Sequence, residues 1–269
     1  MTADERRRQL SDYLAQRGYA DLSLLVKELG VSESTIRRDL SQLEDEGVVR
    51  RTHGGAVYVS DRVHALNYAV REQSAVAEKQ AIGRAAAELV EDGETVLLDG
   101  GTTTYHVARA LVGRSLQVVT NSLPIANLLS SSANVELIFV GGYIYPRTGV
   151  ALGPITRQAL ASLQFSKVFM GAAGITEEGL YNANVLMVEA QHQMINSADE
   201  VIVVADRGKF GRRSLARLGT WEHVDRLVSD AGLDAHWRQV VEAAGVELIL
   251  AAVAEEEPAL RLANGRSGG

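Results

Sequence analysis

From residue 78 onward, the sequence alternates short apolar runs with amphipathic segments, and this alternation constrains the fold more than any other feature. TVLLD, LQVVT, VELIFV, EVIVVAD and RLVSD are typical of strands, and glycine-rich or polar turns and helical patterns separate them. Apolar strands that alternate with helices indicate parallel βαβ units with helices on both faces of one sheet. We therefore expect an α/β domain with a mostly parallel sheet over residues 78–251.

The first 59 residues show a different pattern, in which three closely spaced helical segments precede a β-like run. That run, VVRRTHGGAVYV, has a His-Gly-Gly centre that is typical of a hairpin turn. A chain of 269 residues is long enough for about two domains. We predict three helices and a β wing at 1–59, a linker at 60–77, the α/β domain at 78–251 and a frayed tail at 252–269.

A glycine turn joins the second and third helical segments. Gly30 is suited to the left-handed position that closes a helix, and Ser32 is a good N-cap for the next one. Ile36, Leu40 and Leu43 have the spacing of an inward face, so the hydroxyls and arginines between them face water or a ligand. This arrangement is typical of a helix-turn-helix, whose second helix enters the DNA major groove.

Charge restricts how such a chain binds DNA. Its 27 Lys and Arg against 34 Asp and Glu give a net charge of −7, so no global positive field attracts nucleic acid. Arg37 and Arg38 nevertheless leave one half of the third helix positive, because the acids Glu44, Asp45 and Glu46 crowd its far end. Arginine is suited to bond guanine in the groove. The alternative is that these arginines only solvate an exposed helix face.

A glycine and threonine run follows the strand TVLLD and opens a helix. Consecutive glycines let backbone approach a ligand closely, and a helix N-terminus offers N–H groups and partial positive charge to an anion. The run Gly100–Thr104 therefore predicts a phosphate site at the carboxyl edge of the sheet, where α/β folds bind ligands. The alternative is a tight turn in which a threonine caps the helix.

Other polar turns follow at the same ends of successive strands. Asn121 and Ser122 follow LQVVT, and Gly141 and Gly142 follow VELIFV, with Arg147 soon after. For each turn alone, helix capping or flexibility is as good an explanation as ligand binding. Together they are expected to converge on one crevice.

The motifs that are missing narrow the function. Without cysteine, the chain has no disulfide, thiol nucleophile or Cys-based zinc site, and its histidines are scattered. No phosphate-binding loop of nucleoside triphosphatases and no dinucleotide fingerprint is present, so we expect neither a cofactor nor a metal. Asp99, Glu189 and Lys209 are of the types that transfer protons on a sugar phosphate, and binding without turnover is the alternative.

Two stretches of the sequence resemble the DeoR family of bacterial sugar-metabolism regulators. The first is GVSESTIRRDLSQLEDEGVVRRTHGGA, and the second is the ordered series DGGTTT, TNS, GG, KVFMGAAG and VVADRGKFG over about 78–230. The resemblance implies a winged helix-turn-helix and an effector domain similar to ribose-phosphate isomerase and glucosamine-phosphate deaminase. Ser166 and Gly208 depart from the family pattern, which often has Asp and Ser there.

The resemblance also implies roles for individual residues in binding DNA and the effector. In and beside the recognition helix and on the wing it implies a set of DNA contacts: Ser32, Ser34, Thr35, Arg37, Arg38, Arg51 and His53. Around the crevice it implies a set of effector contacts: Asp99, Gly100, Gly101, Thr102, Thr103, Thr104, Asn121, Ser122, Gly141, Gly142, Arg147, Glu189 and Lys209.

We therefore predict a homo-oligomeric repressor of a carbohydrate-metabolism operon, whose affinity for double-stranded operator DNA is modulated by a phosphorylated sugar or a related metabolite. With no secretory signal and no apolar run of membrane-spanning length, we expect it to be soluble and cytoplasmic. The first alternative is a sugar-phosphate isomerase or deaminase with an appended DNA-binding domain. A weaker one is an architectural DNA-binding protein with an inert α/β domain.

Overall fold

A computed structural model describes residues 2–17, 19–45, 48–52, 54–58 and 68–253. Within these ranges no helix is long and apolar enough to cross a membrane.

The N-terminal part is a three-helix unit with a small antiparallel sheet. Its helices are α1 (Ala3–Arg17), α2 (Leu22–Leu29) and α3 (Glu33–Asp45), and its strands are β1 (Tyr19–Asp21), β2 (Val49–Arg51) and β3 (Gly55–Tyr58). The strands lie in the order β1-β3-β2. The three helices and the β2–β3 hairpin confirm the predicted pattern, whereas β1, only three residues long, was not predicted.

Local signals in the sequence explain the boundary between α2 and α3. Gly30 adopts φ 64° and donates its N–H to the carbonyl of Val26, which closes α2. The Ser32 hydroxyl accepts from the Thr35 N–H at 3.3 Å, as an N-cap does. Ile36, with no exposed surface, lies on the inward face of α3 as predicted.

The C-terminal part is built on one seven-stranded sheet. Its helices are α4 (Tyr68–Gln73), α5 (Val76–Ala87), α6 (Thr102–Ala110), α7 (Leu123–Leu129), α8 (Pro154–Ala161), α9 (Val185–Asn196) and α10 (Ala235–Ala243). The sheet strands are β4 (Thr95–Leu98), β5 (Leu116–Thr120), β6 (Val135–Phe139), β9 (Phe165–Met170), β12 (Ala198–Val204), β14 (Arg226–Asp230) and β15 (Glu247–Ala251). They lie in the order β15-β14-β12-β9-β4-β5-β6 and pair only in parallel. This confirms the predicted α/β class with a parallel sheet.

Helices cover both faces of the sheet. Ile82 of α5, Val107 of α6 and Ile125 of α7 are buried on one face, and Leu160 of α8 and Met194 of α9 are buried on the other. Such two-sided burial explains why the strands read as continuous apolar runs rather than as alternating ones.

Two small antiparallel sheets, which were not predicted, lie outside the main one. One pairs β7 (Tyr143–Tyr145) with β8 (Val150–Leu152). The other contains β10 (Gly174–Thr176), β11 (Gly179–Asn182) and β13 (Ala216–Gly219), which lie in that order. The predicted linker contains α4 and the start of α5, and the division into domains stays a prediction.

Candidate functional site

A cleft with a cavity volume of about 30 Å³, partly open to solvent, lies at the carboxyl ends of β4, β9 and β12. This is the edge of the sheet where the sequence predicts a ligand. Seven of the predicted effector contacts line it: Asp99, Gly100, Gly101, Thr102, Thr103, Thr104 and Lys209.

The N-terminus of α6 forms one wall of the cleft. Gly101 is the N-cap, and the Thr104 hydroxyl donates to the carbonyls of Asp99 and Gly101 at 2.6 and 3.0 Å. A Cβ on Gly100 would lie 2.2 Å from Cγ2 of Val150, so only glycine fits between the turn and that side chain. A helix N-terminus reached through glycines is suited to an anion.

Two basic side chains also line the cleft. Arg71 of α4 has its Nε and Nη2 buried, and neither atom has a hydrogen-bond partner among the described residues. Burial lowers the pKa of the guanidinium, and burial likewise lowers the pKa of Lys209. A buried cation without partners is costly, so this wall of the cleft favours a negatively charged ligand.

Asp99 holds the glycine turn from beneath. Its carboxylate accepts from the Gly100 N–H and from Nε2 of Gln191, both at 2.7 Å. Gln191 in turn accepts from Nδ2 of Asn182 at 2.8 Å, and Asn182 lines the cleft. Burial raises the pKa of Asp99. This buried network links the turn to β11 and α9.

The remaining predicted effector contacts do not line this cleft. Asn121 donates from Nδ2 to the Ala151 carbonyl, while its Oδ1 and the hydroxyl of Ser122 are buried without a partner among the described residues. Gly141 accepts from the Thr156 hydroxyl.

Gly142, Arg147 and Glu189 also lie away from the cleft lining. Gly142 has φ 155° and packs closely on Thr156, and the Arg147 carbonyl accepts from the Tyr68 N–H at 3.0 Å. Glu189 forms an ion pair with Arg157 at 3.3 Å. Their roles in effector binding stay predictions.

Arg71, Asn182 and Gln191 are polar residues at the site that sequence reasoning missed. Arg71 lies in a stretch without a clear period, and it reaches the cleft because α4 packs against α6, far along the chain. Asn182 and Gln191 carry no motif. Only the buried polar network identifies them, and no local signal in the sequence could have done so.

The predicted DNA contacts of α3 lie at its exposed N-terminal end. The Ser32 hydroxyl lies 3.0 Å from that of Ser34 and 2.8 Å from that of Thr35. Arg37 and Arg38 are exposed, and both Nε and Nη2 of Arg37 donate to Oε1 of Glu33. An exposed pair of this kind is weak, so it does not prevent Arg37 from binding DNA.

Two further contacts hold this surface in shape. Arg6 of α1 bonds both carboxylate oxygens of the buried Asp39 at 2.5 and 3.1 Å, which fixes α3 against α1. The Arg51 N–H of the wing bonds Glu44 at the far end of α3. His53 lies outside the described residues, and the DNA contacts as a set stay predictions.

Across the part of the chain that the structure describes, no group of three or more His, Asp or Glu residues is arranged to hold a metal ion.

Two protein-family models match successive parts of the chain. The model described as the DeoR-like helix-turn-helix domain matches residues 6–62, and the model described as the DeoR C terminal sensor domain matches residues 74–231.

Curated relatives match over most of their length. The chain is 32% identical over 235 residues to the uncharacterized HTH-type transcriptional regulator YulB of Bacillus subtilis, covering 87% of this chain and 91% of that protein. It is 34% identical over 251 residues to the HTH-type transcriptional regulator GlpR of Haloferax volcanii, covering 93% of this chain and 98% of that protein. It is 32% identical over 233 residues to the glycerol-3-phosphate regulon repressor of Escherichia coli, covering 86% and 92%.

Solved structures give weaker likenesses. Ribose 5-phosphate isomerase A of Methanocaldococcus jannaschii matches with a TM-score of 0.36 and 18% identity, over 49% of this chain and 53% of that one. eIF2B delta of Chaetomium thermophilum matches with a TM-score of 0.44 and 15% identity, over 84% and 70%. Because both TM-scores lie below 0.5, neither likeness carries an argument about ligand or activity.

Proposed function

Because the chain belongs to the DeoR family of transcriptional regulators, we propose that it represses a carbohydrate-metabolism operon and that a phosphorylated sugar in the cleft lowers its affinity for operator DNA. The effector half of this proposal rests on the environment of the Arg71 guanidinium. Its buried Nε and Nη2 have no hydrogen-bond partner among the described residues, and the Arg71 side chain lines the same cleft as Lys209 and the N-terminus of α6.

A phosphate group fits the chemistry of this cleft. It supplies several acceptor oxygens to the Arg71 guanidinium, it pairs with Lys209, and it lies favourably at a helix N-terminus. A neutral sugar supplies no charge to balance the two cations. The proposal therefore requires a phosphorylated effector rather than its parent sugar. The name of one relative, the glycerol-3-phosphate regulon repressor, supports this class of ligand.

The DNA-binding half acts through α3 and the wing. Ser34, Thr35, Arg37 and Arg38 lie on the exposed side of α3 and are of the types that bond bases and phosphates in the major groove. We propose that two copies of the chain bind two half-sites, as helix-turn-helix proteins commonly do. Effector binding then changes the spacing of the recognition helices and releases the DNA.

The decisive experiment is fluorescence anisotropy of the full-length protein on its own upstream DNA, with scrambled DNA at the same salt as the control. A panel of sugar phosphates and their unphosphorylated sugars is then added. We expect one sugar phosphate to weaken specific binding by about 5- to 150-fold, as for typical allosteric coupling, and its parent sugar to have no effect. Specific binding that no phosphate changes would overturn the effector half.

We further propose that the cleft binds its ligand without turnover. Catalysis of isomerisation requires an acid and a base across the substrate. Glu189 pairs with Arg157 instead of lining the cleft, and Asp99 is engaged by the glycine turn and Gln191. The test is an assay of product formation with each sugar phosphate that releases DNA. Turnover that is lost in the Asp99→Asn variant would favour the enzyme alternative.

A further inference from the structure

Different parts of the chain carry the two cations of the cleft. Arg71 belongs to α4, which follows the DNA-binding half, whereas Lys209 ends a 3-10 turn, Arg207–Lys209, after β12. Burial is the largest cause of the lowered pKa of Lys209, and the positive charge of Arg71 also lowers it. Because like charges repel, an anion site that uses both cations needs contacts that hold the two parts at a fixed spacing.

The first turn of α5 holds α4. The ammonium of Lys79 donates to the backbone carbonyl of Arg71, and it also donates to the carbonyl and the hydroxyl of Ser74 at 2.5 and 3.3 Å. Lys79 has no exposed surface. These contacts tie the carboxyl end of α4, and with it Arg71, to the start of α5.

The residue before Lys79 reaches the other part of the cleft. Glu78 accepts from Nη2 of Arg207 at 2.9 Å, and Arg207 belongs to the same turn as Lys209. Arg207 is itself anchored to the sheet, because its backbone N–H and Nη1 donate to the fully buried Asp230 at 2.7 and 2.5 Å. A short chain of contacts therefore runs from the turn of Lys209 to the carbonyl of Arg71.

We infer that the ion pair between Glu78 and Arg207 is a positioning pair, which sets the spacing between Arg71 and Lys209 in the anion site. Neither member of the pair is among the residues that line the cleft. The inference rests on the proposed function, since the spacing matters only if both cations bind the same anion.

A substitution that removes the charge of Glu78 distinguishes a positioning role from a purely electrostatic one, because the two predict opposite changes in anion affinity. Removing a carboxylate near the cleft makes the local potential more positive, so electrostatics alone tightens anion binding. Loss of positioning weakens anion binding instead, because the two cations must then be brought into place when the ligand binds.

The test compares full-length variants in their affinity for inorganic phosphate, measured by calorimetry at constant pH and ionic strength. We expect Glu78→Gln to weaken phosphate binding by about five- to tenfold, as loss of preorganisation does. Glu78→Asp keeps the charge but is one methylene shorter, so we expect it to weaken binding as well. The control is Glu88→Gln, which should bind phosphate as the wild type does. Glu88 is exposed, directly follows the last residue of α5, and lies about 15 Å along the helix axis from Glu78.

Phosphate binding by Glu78→Gln that equals or exceeds the wild-type affinity would overturn the inference. So would a fall in thermal stability with unchanged phosphate affinity, because that result marks a purely structural pair. Wild-type protein that binds no phosphate would instead overturn the proposed anion site, and the positioning role with it. Arg207 is not the residue to substitute, since its loss leaves the buried Asp230 charge without its partner.

Discussion

A buried guanidinium that lacks hydrogen-bond partners at two of its nitrogens is costly to the folded chain, and Arg71 is in that position within the described residues. The site is therefore not arranged for stability in the absence of ligand. A phosphate would supply the missing acceptors, so the unfavourable burial becomes favourable on binding. At the residue scale, stability and binding should then respond to substitution in opposite directions.

The substitution Arg71→Met tests this opposition. Replacing a poorly satisfied buried charge by an apolar side chain of similar length should leave the free energy of unfolding of the ligand-free protein unchanged or raise it by up to about 2 kcal/mol. The same variant should lose the stabilisation by phosphate, which amounts to about 2.7 kcal/mol at 100 times the dissociation constant. Thermal unfolding with and without phosphate measures both effects.

The matched control is Arg84→Met on α5, where the arginine is exposed. It removes the same charge and should change neither the unfolding free energy of the free protein nor the effect of phosphate. A large loss of stability in ligand-free Arg71→Met would contradict the argument, because it would mean that Arg71 serves the fold.

Glu33 binds Arg37, a residue that we predict to contact DNA. Both bonds from Arg37 end on Oε1 of Glu33, at 2.9 and 2.7 Å, so a contact with DNA must first break this exposed pair. We expect Glu33→Gln to strengthen specific DNA binding by about two- to fivefold at low salt, and by less at high salt. Anisotropy titrations at several salt concentrations measure the change. Glu28→Gln removes an exposed charge from α2, and an equal gain there would indicate only a general field effect.

At the scale of elements, α5 and α6 approach each other closely at Gly83. A Cβ at this position would lie 2.5 Å from the carbonyl carbon of His106 and 2.6 Å from its oxygen. Because backbone cannot move aside as a flexible side chain does, Gly83→Ala should lower the free energy of unfolding by about 1 to 3 kcal/mol. The shift of α5 that relieves the clash should also displace Glu78 and weaken phosphate binding.

Chemical denaturation measures the cost of this substitution, with Gly141→Ala as the control. Gly141 has no atom within 4 Å of an added Cβ, so alanine there should leave the stability nearly unchanged. Similar losses in both variants would show that the helix contact at Gly83 is not the cause.

The elements that the sequence predicts well are those with a strong local pattern. Strands β5 and β14 begin and end where the runs LQVVT and RLVSD do, because continuous apolar stretches between turns mark buried parallel strands. Strands β1, β7, β8 and β10 were missed. Each has only three residues, which is too short to show a period. Pairing defines them instead: β1 pairs with the distant β3, β7 and β8 pair with each other, and β10 pairs with the adjacent β11.

The same distinction applies to the candidate site. The turn at Gly100–Thr104 was predicted because strand, glycines and helix follow each other directly. Arg71 was not predicted, because its place in the cleft depends on the packing of α4 and on the bonds from Lys79 to the Arg71 and Ser74 carbonyls. Contacts of this kind join segments whose sequences carry no sign of one another.

At the scale of the whole molecule, the N-terminal and C-terminal parts of the chain have separate hydrophobic cores. The N-terminal core contains buried residues between Leu10 and Ala56, and the two cores on either side of the large sheet contain residues from Ala81 onward. No buried residue of the N-terminal core belongs to either of the others. Because cooperative unfolding requires shared burial, the two parts should unfold as distinct units.

Differential scanning calorimetry of the full-length protein tests this independence. We expect two unfolding transitions. The chain's own upstream DNA should raise the midpoint temperature only of the transition that belongs to the N-terminal core. Inorganic phosphate should raise the midpoint temperature only of the other transition. At 100 times its dissociation constant it should add up to about 2.7 kcal/mol to the free energy of unfolding of that part. A single transition that both ligands raise equally would mean that the cores unfold as one unit. Two transitions with separate ligand responses would mean that each ligand stabilises only the core that binds it. The effector would then change DNA affinity by moving the two parts relative to each other, and not by changing the stability of the N-terminal core.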